Sequence, residues 1–179
     1  MRLTMAPKTY NITTCEMLHE DIMVLHDLDG GVWDGDENYI SNYLRGKALY
    51  LAGPIDHCTY DEIHGWRERA KALWPGKCFD PSARVFDHVT GPANMKQLVE
   101  EDKVEISSSD ALLVHYIEPK AGSRMTGTTM EIPYGFEKGK FVVVVTDVEF
   151  LSPWVRYHCH YVVSSVEEGI QIIKDFFDK

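Results

Sequence analysis

ALYLAGPIDHCTYDEIHGWRERAKALWPGK, residues 48–77, reads as one complete strand-and-helix unit. The run Ala48 to Ala52 is apolar and stops at Gly53-Pro54, a pair that ends regular structure. Thr59-x-x-Glu62 then has the spacing of a capping box, and Ile63, Trp66, Ala70 and Leu73 fall on one helical face behind it. Pro75-Gly76 stops the helix. A strand that must turn at its carboxyl end into a helix cannot pair with its successor as a hairpin, so a parallel sheet is expected.

The same alternation continues outward to about residue 175. A short strand is predicted around Cys78 to Asp80, followed by a loop rich in Pro, Gly and Asp and a helix from about Asn94 to Ile106. Ala111 to Tyr116 is the third strand. Gly127-Thr128-Thr129 opens a helix running to Gly139. Phe141 to Thr146 is an unbroken apolar strand of the kind buried on both faces, which predicts a central position. Tyr161 to Val163 and a helix capped by Ser165-x-x-Glu168, buried through Ile170, Ile173 and Phe177, complete the pattern. Alternating strands and helices of this kind make an α/β layer fold, and ligands of open parallel sheets bind beyond the carboxyl ends of the strands. The loops after Ala52, Asp80, Tyr116 and Thr146 are therefore where a site is expected.

Residues 1–46 differ, with weak periodicity and an acidic, glycine-bearing stretch, HDLDGGVWDGDEN (26–38), and are expected to be an N-terminal extension of unknown role preceding one domain, 47–179. A calcium loop is not predicted there. Counted from Asp34, Tyr39 stands where an EF-hand needs Gly and Arg45 where it needs Glu.

Composition narrows the function. A formal charge of −10 over 179 residues argues against a nucleic-acid polymer as partner, because such proteins gain affinity from clustered Lys and Arg. No apolar run approaches the roughly 20 residues of a membrane span, and the N-terminal residues carry no apolar stretch of signal-peptide length, so a cytoplasmic protein without membrane contact is expected. Cys15, Cys58, Cys78 and Cys159 show neither CxxC nor zinc-type spacing, so reduced, mostly buried thiols are expected. His158-x-His160 would share one face of a strand but lacks a third ligand, and HExxH is absent, so no metal is predicted. GSRMTGTT is neither GxGxxG nor GxxxxGK, which removes the pyrophosphate cradle of a dinucleotide fold, and no cofactor is expected.

Three segments carry the candidate chemistry: LAGPI (51–55), EEDKVEISSSDALLVHY (100–116) and GTTMEIPYGFEKGK (127–140). Together with WRERA (66–70), FDP (79–81) and SPWVRYH (152–158), in this order, they resemble the nucleoside 2-deoxyribosyltransferase family, most of all its transferase-like branch frequent in bacteria and phages. The resemblance runs from about Lys47 to Ile173 and implies a flavodoxin-like, Rossmann-like fold: a five-stranded parallel sheet with helices on both faces. It further implies cleavage of the N-glycosidic bond of a nucleoside or nucleoside 5′-monophosphate through a glycosyl-enzyme ester, resolved by a second base or by water. In the family's GT-x-x-E motif the nucleophile matches Glu131, with Gly127 and Thr128 ahead of it. The aspartate that holds the sugar hydroxyl matches Asp102. The loop after the first strand matches Gly53, Pro54, Ile55, Asp56 and His57. SPWVRYH resembles the segment that reaches into a neighbouring subunit's site, which implies a homo-oligomer and places Arg156 near a partner's sugar.

The residues support these roles independently. Cleavage passes through an oxocarbenium-like sugar, and a carboxylate beneath the anomeric carbon stabilises that charge before bonding to it. Glu131 is expected in the first turn of its helix, where the dipole favours the ionised form and Thr128 and Thr129 can donate to the same site. Asp102 lies in an acidic run, Glu100-Glu101-Asp102, equally readable as a solvated helix face. Asp110 reads as a cap or turn residue. Tyr50 is expected as a contact on the sugar or base. Where the family carries a further base-side carboxylate, this chain reads KAGSRMT (120–126), with none, and Arg124 is the replacement donor to a base carbonyl or 5′-phosphate. The missing carboxylate also fits an alternative, a non-catalytic nucleoside or nucleotide sensor on the same fold.

Overall fold

The computed structural model describes residues 2–5, 8–11, 14–18, 22–26, 32–33, 43–84, 92–118 and 125–178, in two compact units, Met1–Asn42 and Tyr43–Lys179. In the first unit β1 (Arg2–Met5) pairs antiparallel with β2 (Lys8–Asn11), and β3 (Thr14–Leu18), β4 (Ile22–His26) and β5 (Val32–Trp33) form an antiparallel sheet in that order. Weak periodicity hid these strands from the sequence. Most of the acidic stretch 26–38, and Arg124, lie outside the described residues.

The second unit holds β6 (Ala48–Ala52), α1 (Tyr60–Leu73), β7 (Lys77–Phe79), a 3-10 turn (Pro81–Ala83), α2 (Pro92–Ser108), β8 (Ala111–His115), α3 (Thr126–Glu137), β9 (Phe141–Val145), α4 (Pro153–Tyr157), β10 (Tyr161–Val163) and α5 (Val166–Phe177). The five strands are parallel throughout and ordered β10-β9-β8-β6-β7. Numbered within the sheet this is 2-1-3-4-5, the flavodoxin-like order, and its switch point lies between β6 and β8. The central strand is β8, not β9. Phe141–Val145 is nonetheless buried along its whole length, because β10 shields its outer side and helices cover both faces.

Local chemistry sets the elements. Thr59 caps α1 with a complete capping box, its hydroxyl taking the Glu62 amide while the Glu62 carboxylate takes the Thr59 amide. Along α1 the buried side is Trp66, Arg67 and Ala70, and Leu73 is exposed, so a charged residue occupies the core-facing stripe where Leu73 was expected. Ser165 caps α5 through the Glu168 amide, and the Glu168 carboxylate reaches back to the Ser164 amide, one residue beyond the predicted box. Ile170 and Ile173 are buried and Phe177 only partly so. His158 and His160 precede β10 rather than riding on it. Asp110 ties the far end of the sheet together, accepting from the Ala48 amide at 2.8 Å and from Lys47, away from the carboxyl-end loops.

On one face of the sheet Tyr50, Ala52, Leu112, Val114, Val142 and Val144 pack with Ile106 of α2, Ile132 of α3 and Val155 of α4. On the other, α5 lies so close that a Cβ on Gly169 would sit 2.8 Å from Leu113, and α1 packs against α5. Gly135 brings α3 equally near: a Cβ there would stand 2.5 Å from Leu112 Cδ2. Gly135→Ala is therefore expected to lift α3 off the sheet and lower stability by about 1–3 kcal/mol, the usual cost of overpacking. A urea midpoint equal to wild type would contradict that close approach.

Candidate active site at the switch point

Tyr50 is the middle residue of β6, fully buried, with its ring directed to the α2 and α3 face. Its hydroxyl donates to Glu131 Oε1 at 2.7 Å. Burial and the neighbouring carboxylates Glu131 and Asp102 push the Tyr50 phenol far above its ordinary range, so the proton of this bond stays on tyrosine. Tyr50 is thus a hydrogen-bond partner of Glu131.

Glu131 is the sixth residue of α3, which begins at Thr126 behind Met125 in left-handed geometry (φ 45°). It lies in the second turn, one turn deeper than expected, where the helix dipole has largely faded. Burial dominates instead. Desolvation raises the carboxyl to about 7, the Asp102 charge adds to the rise, and the Tyr50 bond with the charges of Arg67 and Arg84 opposes it. A carboxyl so placed is divided between acid and base near neutrality, as catalytic carboxyls often are. Thr129 does not join the site, since its hydroxyl bonds back to the Met125 carbonyl at 3.0 Å. Thr128 is buried in the helix's first turn and Gly127 is exposed beside it.

Asp102 stands on α2, one-fifth exposed, and Arg84 Nη2 donates to its Oδ1 at 2.5 Å. Burial raises the Asp102 carboxyl, against the pull of Arg84 and of the Tyr50 hydroxyl. Asp102 is therefore not on a solvated helix face; it belongs to the cluster around Glu131. Two residues of that cluster were missed by the sequence. Arg84 is one, a single arginine after FDP with no local pattern to mark it. Arg67 is the other, and its signal was present: it lies on the α1 stripe, four residues after Ile63.

Arg67 has no exposed side-chain surface. Its Nη1 donates to the Ile63 carbonyl, its Nη2 to the Gly53 carbonyl at 2.9 Å, its Nε lies 3.3 Å from Asp80 Oδ1, and the guanidinium stacks 4.5 Å from the Trp66 ring centre. The loop after β6 is thereby anchored at Gly53. Only glycine fits there, because a Cβ would meet Trp66 Cζ2 at 2.6 Å. Pro54 is buried and Ile55 partly so. Asp56 and His57 form an exposed turn closed by the Cys58 amide on the Ile55 carbonyl, with His57 at φ 61°. On the opposite face His115, at the end of β8, stacks on Trp66 and is lowered to about 4 by burial and by Arg67 and Arg69, so it is neutral.

SPWVRYH forms α4, capped by the Ser152 hydroxyl, with Val155 in the core and Arg156 exposed. Trp154 and Tyr157 are 77% and 71% exposed. Among the described residues no cluster of three or more His, Cys, Asp or Glu has metal-binding geometry, and no helix is long and apolar enough to cross a membrane.

No protein-family model matches the chain, and no curated protein matches it. Solved structures do. A 2-deoxyribosyltransferase from the psychrotolerant bacterium Bacillus psychrosaccharolyticus superposes with a TM-score of 0.57 at 16% identity, over 68% of this chain and 88% of that one. Weaker likenesses are to a 2-desoxiribosyltransferase from Leishmania mexicana (TM-score 0.49, 17% identity, 72% and 97% covered) and a Clostridium botulinum CMP N-glycosidase (0.46, 17%, 71% and 98%). At such identity the likeness is one of fold, and over 68% of its length this chain has the fold of a 2-deoxyribosyltransferase.

Proposed function

We propose that the chain cleaves the N-glycosidic bond of a nucleoside or nucleoside 5′-monophosphate, with Glu131 as nucleophile. The observation that supports this is the Tyr50–Glu131 hydrogen bond at the switch point, which ties one oxygen of a buried carboxyl to a donor that keeps its proton. In the first step the other Glu131 oxygen attacks the anomeric carbon as the C–N bond breaks. The bond pair goes to the base, which takes up a proton from solvent, and a sugar ester forms on Glu131. In the second step water or the nitrogen of another base attacks the same carbon, its proton passing to solvent, and Glu131 leaves as carboxylate. Tyr50 stabilises that carboxylate by donating a hydrogen bond without giving up its proton, and Asp102 accepts a hydrogen bond from the sugar hydroxyl. Asp56 and His57 stand at the exposed turn where the substrate enters, and Arg124 is the candidate donor to base or phosphate. A chromatographic screen of nucleosides and monophosphates for free-base release, with and without a second base, tests the proposal. Release of no base from any of them would refute it.

The same geometry sets a pH dependence. A nucleophile with its carboxyl at about 7 in the free enzyme is half-active there, so kcat/KM is expected to rise tenfold per unit below pH 7 and level off above it. Tyr50→Phe removes a bond to the charged form and so raises that carboxyl. The acid limb should move upward by about 1 to 2 pH units, the equivalent of a hydrogen bond to a charged group. A limb that stays in place would show that Tyr50 does not act on the group titrating in catalysis.

A further inference from the structure

Arg84 follows the 3-10 turn directly and is spent on one face of α2. Its Nη2 bonds Asp102 and, at 3.0 Å, Glu105 Oε2, while Nη1 bonds Glu101 Oε2 at 3.3 Å. Among the described residues its buried Nε has no hydrogen-bond partner. Carboxylates at 101, 102 and 105 repel one another along the helix, and Glu131, where ionised, adds a fourth negative group beside Tyr50. Of the three on α2, Asp102 is the most buried, takes the shortest bond from Arg84 and faces the Tyr50–Glu131 pair. A guanidinium presents its donors in a rigid plane, so contacts to three carboxylates at once fix its own position and, through it, that of Asp102.

We propose that Arg84 is a positioning residue for sugar binding: its guanidinium holds the Asp102 carboxylate in the one orientation, beside Tyr50 and Glu131, from which it grips the sugar hydroxyl. The inference rests on the glycosidase function proposed above. Arg84 does not itself touch the sugar. Burial works against a charged Asp102, and Arg84 offsets it. A guanidinium already committed to three carboxylates is a poor donor to a phosphate, so Arg84 acts on the substrate only through Asp102.

The test is a double-mutant cycle on the full chain, with base release as the readout. Arg84→Met is expected to lower kcat/KM about 10- to 100-fold, the range for losing a hydrogen bond to a charged group, and Asp102→Asn by a similar factor. The double variant should be no worse than Asp102→Asn alone, because both changes remove one interaction. Arg84→Lys keeps the charge without the fork and should recover part of the loss, but only where Asp102 is present. Should Arg84→Met fail to fold, Arg84→Lys measured with and without Asp102→Asn carries the cycle. Losses that multiply, or an Arg84→Met enzyme with wild-type kcat/KM, would overturn the proposal while leaving the glycosidase function standing. A wild-type protein that releases no base would overturn that function first, and the role of Arg84 with it.

Discussion

Glu131→Gln is expected to abolish base release while making the protein more stable above neutral pH. The amide keeps the volume and can still accept from the Tyr50 hydroxyl, but it cannot attack the anomeric carbon as an anion, so the rate should fall by roughly 10³-fold or more. The stability change follows from linkage. Burial raises the folded carboxyl from an ordinary 4.5 to about 7, so the folded state binds this proton more tightly than the unfolded chain. Its contribution is complete below about pH 4, declines as pH rises, and is lost above pH 7, where the ionised group costs up to about 3 kcal/mol. Glutamine has no charge to desolvate. Urea unfolding should find Glu131→Gln more stable than wild type at pH 8, with the difference shrinking towards pH 5. A variant less stable than wild type at pH 8 would mean that the carboxylate is well solvated or well paired, contrary to the geometry.

The largest structural effect is expected at Arg67. Arg67→Met keeps the apolar stem over Trp66 but removes the donor to the Gly53 carbonyl and leaves Asp80, whose side chain is 5% exposed, with Lys71 and Ser82 alone. Breaking a buried charge pair from one side costs about 3–5 kcal/mol, or roughly 10 °C in melting temperature for a chain of this size. Although burial alone would raise Asp80, its bonds from Lys71 and Ser82 and the charges of Lys71 and Arg67 hold it below the usual carboxylate range. A depressed carboxyl stabilises the fold above its unfolded value near 4 and loses that contribution as pH falls through its folded value. The wild-type melting temperature should drop steeply below pH 4, and Arg67→Met, with Asp80 less depressed, should show a shallower fall. Equal melting temperatures for the two proteins at pH 7 would contradict the clamp.

Most strands and helices of the second unit were legible because they are set locally: Ala48–Ala52 and Tyr161–Val163 end where the sequence predicts, the Thr59 box closes as its spacing suggests, and the Ser165 hydroxyl takes the Glu168 amide. Strand order was less so. An all-apolar strand signals burial on both faces, and β9 has it, yet the central place belongs to β8, because pairing partners are chosen by distant segments. SPWVRY carried too short a pattern to announce a helix, and only its Ser152 cap and buried Val155 make it one. The site divides the same way. Glu131 and Asp102 were visible as motif residues, whereas the groups that govern them lie far away in sequence: Tyr50 is 81 residues from Glu131, and Arg84 is 18 from Asp102. Local sequence placed Glu131 near a helix start and suggested a dipole-favoured anion; tertiary burial reverses the sign of that shift.

Covalent trapping tests the nucleophile most directly. A nucleoside with a fluorine at the 2 position of the sugar destabilises the oxocarbenium-like transition states of both steps, and a good leaving base lets the ester form faster than it breaks down. Intact mass should then show one sugar adduct on wild type, mapped to Glu131 by peptide analysis, and none on Glu131→Gln. An adduct on any other residue, or Glu131→Gln turning over natural substrate at the wild-type rate, would contradict the role given to Glu131.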